Sequence, residues 1–361
     1  MKKIIFLLTI LFISCETQKS EMIDLFNAEN DPNVSCYRIP SIITAVNGDL
    51  IAMIDERVPS CGDLKWSRDI NIVMRKSFDN GKTWTDIETV VDYPLGQSAS
   101  DPSMILDEKT NTIFMFYNYM DLDNEKDIYY LRYKKSLDNG KSWSKSIDIT
   151  DQISKSGWEK DFKFVTSGRG IQTQDGTLLH CLVNLQKGTH VFGSNDNGNT
   201  WFITETPTSP GDESKIIELN DGRWMVNSRV NNLGYRYSHI SDDKGKSWIS
   251  KKEENIIDPG CNGSILKYNF NNKNLLLLTN INNQKERKEI VIRFSQDEGV
   301  NWSSPKVIYE GEAAYSSMTQ LNNGNVGIFY EADNYTSNIF KSLSIDSVSY
   351  THLTLPTNRE V

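Results

Sequence analysis

The apolar residues of this chain fall in short runs rather than at helical spacing. Residues 70–76 (INIVMRK), 128–134 (IYYLRYK) and 290–294 (IVIRF) are rich in β-branched and aromatic side chains, which suit a pleated, half-buried surface. Asn47-Gly48, Asp175-Gly176, Asp221-Gly222 and Asn323-Gly324 interrupt the pattern as hairpin signals. No segment sustains a helical period. The pattern predicts an all-β chain of many short strands.

One element recurs five times directly after such runs: Ser-x-Asp-x-Gly-x-(Thr/Ser/Asn)-Trp. It reads SFDNGKTW from Ser77, SLDNGKSW from Ser136, SNDNGNTW from Ser194, SDDKGKSW from Ser241 and SQDEGVNW from Ser295. The spacings are 59, 58, 47 and 54 residues, the size of a propeller blade. The physics of the unit is legible. Asp79, Asp138, Asp196, Asp243 and Asp297 can accept hydrogen bonds from turn N–H groups, and the glycine can take positive φ. The tryptophan closes the hairpin against the blade. The boxes therefore read as turn locks, not as chemistry. Residues 37–345 hold six such units, with the box missing from one. Residues 339–345 (IFKSLSI) read as the strand that closes the ring.

These motifs resemble the Asp-box repeats of sialidases and related propellers, which implies an all-β, six-bladed β-propeller with five Asp-box turns. Further residues extend the resemblance to the glycoside hydrolase family 33 sialidases. Tyr37-Arg38-Ile39-Pro40 is similar to the signature that opens their catalytic domain, with Arg38 the first carboxylate-binding arginine. Glu213 and Arg229, in ESKIIELNDGRWMVNSR, match the segment with a catalytic Glu and the second arginine. Arg287 falls where the third lies. Tyr315, in AYSSMT, matches the nucleophile, and Glu331 matches the residue that orients the first arginine. Asp63, 25 residues after Arg38, matches the acid/base; beside Asp55 and Glu56 its pKa is expected to be raised. Arg57 and Asp101 match contacts to the sugar's 4-hydroxyl region.

The chemistry fits those residue types. A sialic acid carries a carboxylate on its anomeric carbon, and three planar guanidinium groups can grip it. A carboxylate nucleophile would be repelled, and sialidases use tyrosine instead. Free tyrosine, with pKa about 10, needs a base and a cationic field to attack. Each residue alone has a blander reading as an ion pair, a loop cap or core; their joint occurrence in family order is what carries weight. The resemblance implies a retaining exo-α-sialidase without a cofactor, acting on sialylated glycans. The alternatives are a trans-sialidase, a hydrolase of a related 2-keto acid sugar such as KDN or Kdo, and a glycan-binding Asp-box propeller. Asn118, Tyr119, Met120, Trp158, Asp161 and Phe162 read either as further subsites or as packing. Residues 167–172 (SGRGIQ) are similar to a family loop near the substrate.

Charge and composition narrow the classes. A net charge of −9 and a pI near 5.1 argue against nucleic-acid partners. Lys2, Lys3 and an apolar run over 4–13 read as an export leader too short to span a membrane. Ser14-Cys15 resembles a lipoprotein cleavage site. The expected organisation is a signal peptide over 1–15, with Cys15 lipidated and the only membrane contact. A tether or entry segment covers 16–33, the catalytic propeller 34–347 and a non-native tail 348–361. Cys36, Cys61, Cys181 and Cys261 allow three disulfide pairings. The four scattered histidines and the absence of a CxxC pair predict no metal site.

Overall fold

The computed structural model describes residues 22–345. The leader with Cys15 and the tail from residue 348 lie outside them. The strands form six four-stranded blades, and the blade numbers below follow the chain. Blade one is Cys36–Thr44, Leu50–Arg57, Ile70–Ser77 and Glu88–Val91. Blade two is Gln97–Asp107, Thr112–Asp121, Tyr130–Ser136 and Ile147–Asp148. Blade three has a broken inner strand (Lys163–Val165 and Ile171–Gln172), then Leu178–Asn184, Gly188–Ser194 and Phe202–Ile203. Blade four is Ser214–Glu218, Trp224–Ser228, Tyr235–Ser241 and Ile249–Ile257. Ser264–Phe270, Lys273–Ile281 and Lys288–Ser295 begin blade five, and the long strand Lys306–Gln320 completes it. That strand then crosses over to become the inner strand of blade six, pairing with Val326–Ala332.

Blade six explains the box count. Every box joins the third strand of a blade to its fourth. In blade six the third strand is Ser337–Leu343, but the fourth is Met22–Asn27 from the N-terminal end. There is no hairpin between them for a box to lock. Two expectations are corrected here. Part of the 16–33 segment read as a tether is a blade strand, and the ring is closed by that strand rather than by 339–345 alone. The N-terminal residues could not reveal this, because MIDLFN is too short to show a period and its partner lies over 300 residues away.

The inner strands pack in sequence round the axis, and the circle closes where Lys306–Gln320 meets Cys36–Thr44. There Ser317 Oγ accepts from Ile42 N at 3.2 Å and Thr319 Oγ1 from Thr44 N at 3.0 Å. Apolar side chains gather at the six seams between blades; Ile51, Met53, Met104 and Met115 fill the seam of blades one and two. The boxes bear on these seams. In the first, Asp79 accepts from Lys82 N and Thr83 N, both at 2.9 Å, and Ser77 Oγ accepts from Gly81 N at 2.8 Å. Gly198 has φ +79°, and a Cβ there would stand 2.3 Å from the Phe114 ring of blade two. Positive φ and close approach both require glycine.

Candidate active site

The expected site residues lie at one rim, where inner strands begin and second strands end. Arg38, Asp101 and Tyr315 sit on inner strands, each at a β-bulge: pairing shifts between Arg38 and Ser41, Ser100 and Ser103, and Ala313 and Ser316. Bulges re-aim side chains beside active sites. Ile39 and Asp101 take positive φ there, 69° and 63°. Arg57 and Glu331 end second strands, and Arg229 follows one. Glu213 precedes an inner strand; Asp63 and Arg287 stand on loops between second and third strands.

Arg38, Arg229 and Arg287 surround Tyr315, with Cζ atoms 5.6, 6.0 and 5.3 Å from its ring centre. Each is held differently. Arg38 Nε donates to Glu331 Oε1 at 3.1 Å. The same carboxylate accepts from Ile39 N at 2.8 Å and Tyr315 N at 3.0 Å, so Glu331 fixes both an arginine and the tyrosine's backbone. Arg229 Nη1 donates to Glu213 Oε2 and to Tyr315 Oη, the latter at 2.7 Å. Arg287 donates to Tyr335 Oη at 3.2 Å and Gly260 O at 3.4 Å.

Burial pushes the Tyr315 phenol well above its usual range, and Glu213 adds to this; Arg229, Arg287 and Arg38 pull the other way without reversing it. The arginine field thus does not ionise the tyrosine by itself. Asp63 departs from expectation. Burial would raise its pKa, but Arg57, Arg38 and Arg287 outweigh it and hold the carboxyl below its usual value. Arg57 Nη1 donates to Asp63 Oδ1 at 2.7 Å, and Arg38 Nη1 lies 3.7 Å away. Asp55 and Glu56, the acids adjacent in sequence, point elsewhere: Asp55 pairs with Arg57 at 3.0 Å, and Glu56 accepts from Asn71 and Tyr37. The Asp63 side chain is still 58% exposed. A disulfide between Cys36 and Cys61 ties its loop to the strand carrying Arg38. Cys181 and Cys261 are buried thiols.

Asp101 N donates to Asp55 Oδ1 at 2.9 Å. Its own carboxyl is pushed up, first by burial and then by Asp55 and Glu213. Asn118 bridges Asp101 and Val165. The neighbours read as subsites or packing are mainly packing. Met120 and Trp158 are buried, Trp158 rests 4.9 Å from His190, Phe162 stacks on Tyr129, and Asp161 accepts from Asn184. In the 167–172 loop, Ser167 reaches the site through Asn262, whereas Arg169 turns to Met318 O.

Three participants were missed in the sequence: Tyr335, Asn262 and Lys215. Tyr335 lies 4.1 Å under the Arg38 guanidinium and accepts from Arg287. It stands in a turn whose residues Asp333, Asn334 and Tyr335 all have positive φ, a rare conformation for tyrosine. A cavity of about 410 Å³ opens beside it, lined among others by Arg287, Glu312 and Ala314. Nothing in the sequence of that turn signals these contacts. Among the described residues, no group of three or more His, Cys, Asp or Glu side chains could hold a metal ion, and no helix is long and apolar enough to cross a membrane.

The BNR repeat-like domain family matches residues 60–328. A sialidase of Bacteroides fragilis is 29% identical over 338 residues, covering 84% of this chain and 61% of that protein. A sialidase of Micromonospora viridifaciens is 31% identical over 336 residues, covering 84% of this chain and 50% of that protein. The chain thus spans between half and two thirds of the length of these relatives. Among solved structures, the Hadza microbial sialidase Hz136 superposes with a TM-score of 0.81 at 28% identity, covering 88% of this chain and 67% of that one. A leech intramolecular trans-sialidase shares the fold at a TM-score of 0.78 and 18% identity, covering 93% and 72%.

Proposed function

The chain belongs to the BNR repeat-like domain family, and from that premise we propose that it is a retaining exo-α-sialidase. The observation that carries the reading is the convergence of Arg38, Arg229 and Arg287 on Tyr315, whose phenol shares Arg229 Nη1 with Glu213. Three guanidinium groups with outward N–H bonds suit one carboxylate. A buried phenol beneath them suits attack on the carbon that bears it, where an anionic nucleophile would be repelled.

In the first step Tyr315 Oη bonds to the anomeric carbon and its proton passes to Glu213. Asp63 gives a proton to the departing glycosidic oxygen. In the second, Asp63 takes a proton from water, whose oxygen bonds to the anomeric carbon as its bond to Tyr315 Oη breaks and Glu213 returns the proton to the phenol, with overall retention. Arg57, Arg38 and Arg287 hold the Asp63 carboxyl low. A bound carboxylate would engage Arg38 and Arg287, withdraw their charge from Asp63 and let burial raise it. Arg57 and Asp101 would then meet the 4-hydroxyl region. The substrates are terminal sialosides of glycoconjugates. Export by the 1–15 leader, with a lipid on Cys15, would place the enzyme where such glycans occur.

The test is hydrolysis of a fluorogenic α-sialoside. The parent protein is expected to turn it over, and Tyr315→Phe to lose roughly two orders of magnitude or more in kcat. A well-folded parent without turnover would sink the reading and favour a related 2-keto acid sugar or a binding propeller.

A further inference from the structure

Lys215 lies two residues beyond Glu213, on the inner strand Ser214–Glu218 of blade four. Both side chains meet Asn262. Lys215 is only 2% exposed, and lysine is almost never so buried without a partner. Its ammonium donates to Asn262 Oδ1 at 2.6 Å. An ammonium can only donate, so this contact fixes the orientation of the Asn262 amide. The amide nitrogen is thereby turned to Glu213 Oε1, 3.3 Å away, and to Ser167 Oγ at 2.9 Å. Arg229 occupies the other oxygen of Glu213.

We propose that Lys215 is a positioning residue for proton transfer from Tyr315: through Asn262 it holds Glu213 in place. The proposal rests on the reading of Glu213 as the base. Burial lowers Lys215 to about 8, and Glu213 is the group that most opposes the fall. Cys181, Arg236 and Arg229 also act on Lys215, and Lys215 in turn acts on His180. Burial pushes the Cys181 thiol up to about 12 and His180 down to about 3, so both are neutral around pH 7. Arg236 is paired with Asp258 and Arg229 with Glu213. Within this set, Lys215 is the group that changes charge in mildly alkaline solution. Below about 8 it carries the charge. Above that it loses it, its bond to Asn262 Oδ1 falls from a charge-assisted to a neutral one, and the hold on Glu213 loosens.

The experiment measures kcat and KM of the parent, Lys215→Met and Asn262→Ala on a fluorogenic α-sialoside between about pH 5 and pH 10, with a melting curve for each. The parent is expected to lose kcat above about pH 8. Lys215→Met should lose roughly tenfold or more in kcat near neutrality with KM within about twofold, and should lack that alkaline limb. Asn262→Ala should show a similar kcat loss. A folded Lys215→Met with the parent's kcat and alkaline limb overturns the proposal. If Lys215→Met does not fold, parent-like kcat in Asn262→Ala overturns it instead. Absence of turnover in the well-folded parent overturns the sialidase reading, and this inference with it.

Discussion

At Glu331 one carboxylate serves three donors from two strands: Arg38 Nε, Ile39 N and Tyr315 N. Such a group determines where others stand without touching substrate. Tyr335 acts similarly on Arg38 and Arg287 from the opposite side. Its removal should therefore weaken substrate binding more than chemistry. Tyr335→Ala is expected to raise KM by up to about tenfold, the scale of one desolvated cation–π contact, with a smaller change in kcat. Tyr335→Phe keeps the ring under Arg38 and should do less; equal effects of both on steady-state kinetics would contradict the stacking argument. Asp63 offers a pH test. Arg57, Arg38 and Arg287 hold its carboxyl low, so near pH 7 the acid proposed above is mostly ionised before substrate binds. For a natural sialoside, kcat/KM should rise as pH falls from about 7 toward 5, while an activated aryl sialoside, needing little protonation, should respond less. Parallel pH profiles for the two would remove Asp63 from the acid role. The order of charged residues along the chain pointed to this constellation, because most stood in recognisable short motifs and Asp63 and Arg287 at family spacings. Tyr335 and Asn262 stood in none, and Lys215, though inside the Glu213 segment, makes contacts that like theirs exist only once neighbouring blades are adjacent.

The element that repeats is the hairpin lock, and its chemistry was legible because it is local: serine, aspartate, glycine and tryptophan within eight residues determine their own turn. Its acid sensitivity follows. Hydrogen bonds from Ser142 and Ser247 pull Asp138 and Asp243 to about 2. At Asp79 partial burial opposes, but bonds from Thr83 and Ser77 prevail, again to about 2. These carboxylates release their protons more readily in the folded chain than in the unfolded one. Their contribution is complete above the ordinary aspartate value of about 3.9, and is lost as pH falls toward about 2. Melting temperature should accordingly drop across that window, and Asp138→Asn should flatten the drop; an unchanged slope would show that the locks are energetically idle. What the boxes could not reveal is that the glycine also touches the preceding blade. Gly198→Ala combines a left-handed φ with a Cβ 2.3 Å from Phe114. It should cost about 2 kcal/mol or more, read as a lower denaturation midpoint.

A propeller is stable only as a ring, and the ring's last seam is the one that sequence order cannot mark. Here the seam is closed by Met22–Asn27, which lies on Ser337–Leu343. Leu25 and Phe26 are fully buried in the cluster that joins blade six to blade one. Asn338 reinforces the clasp, donating from its side chain to Phe26 O at 3.2 Å and to Tyr37 O at 3.1 Å. The clasp also reaches the site. Ala28 N donates to Thr336 O at 3.2 Å, beside Tyr335 and its contacts to Arg38 and Arg287. A chain begun at residue 34, the boundary that the sequence motifs suggest, would fold without its outer strand. It would expose Phe340 and Phe329, which pack beside Phe26. Loss of two buried apolar side chains is worth several kcal/mol, so the melting temperature should fall by at least about 5 °C against a chain begun at residue 21. The activity should fall as well, through KM, because the Tyr335 turn loses its anchor. A truncated protein with an unchanged melting temperature and KM would mean that the ring holds by its inner strands alone. Restoration by a separate peptide spanning residues 21–33 would show instead that the clasp is a strand supplied in trans as readily as in cis.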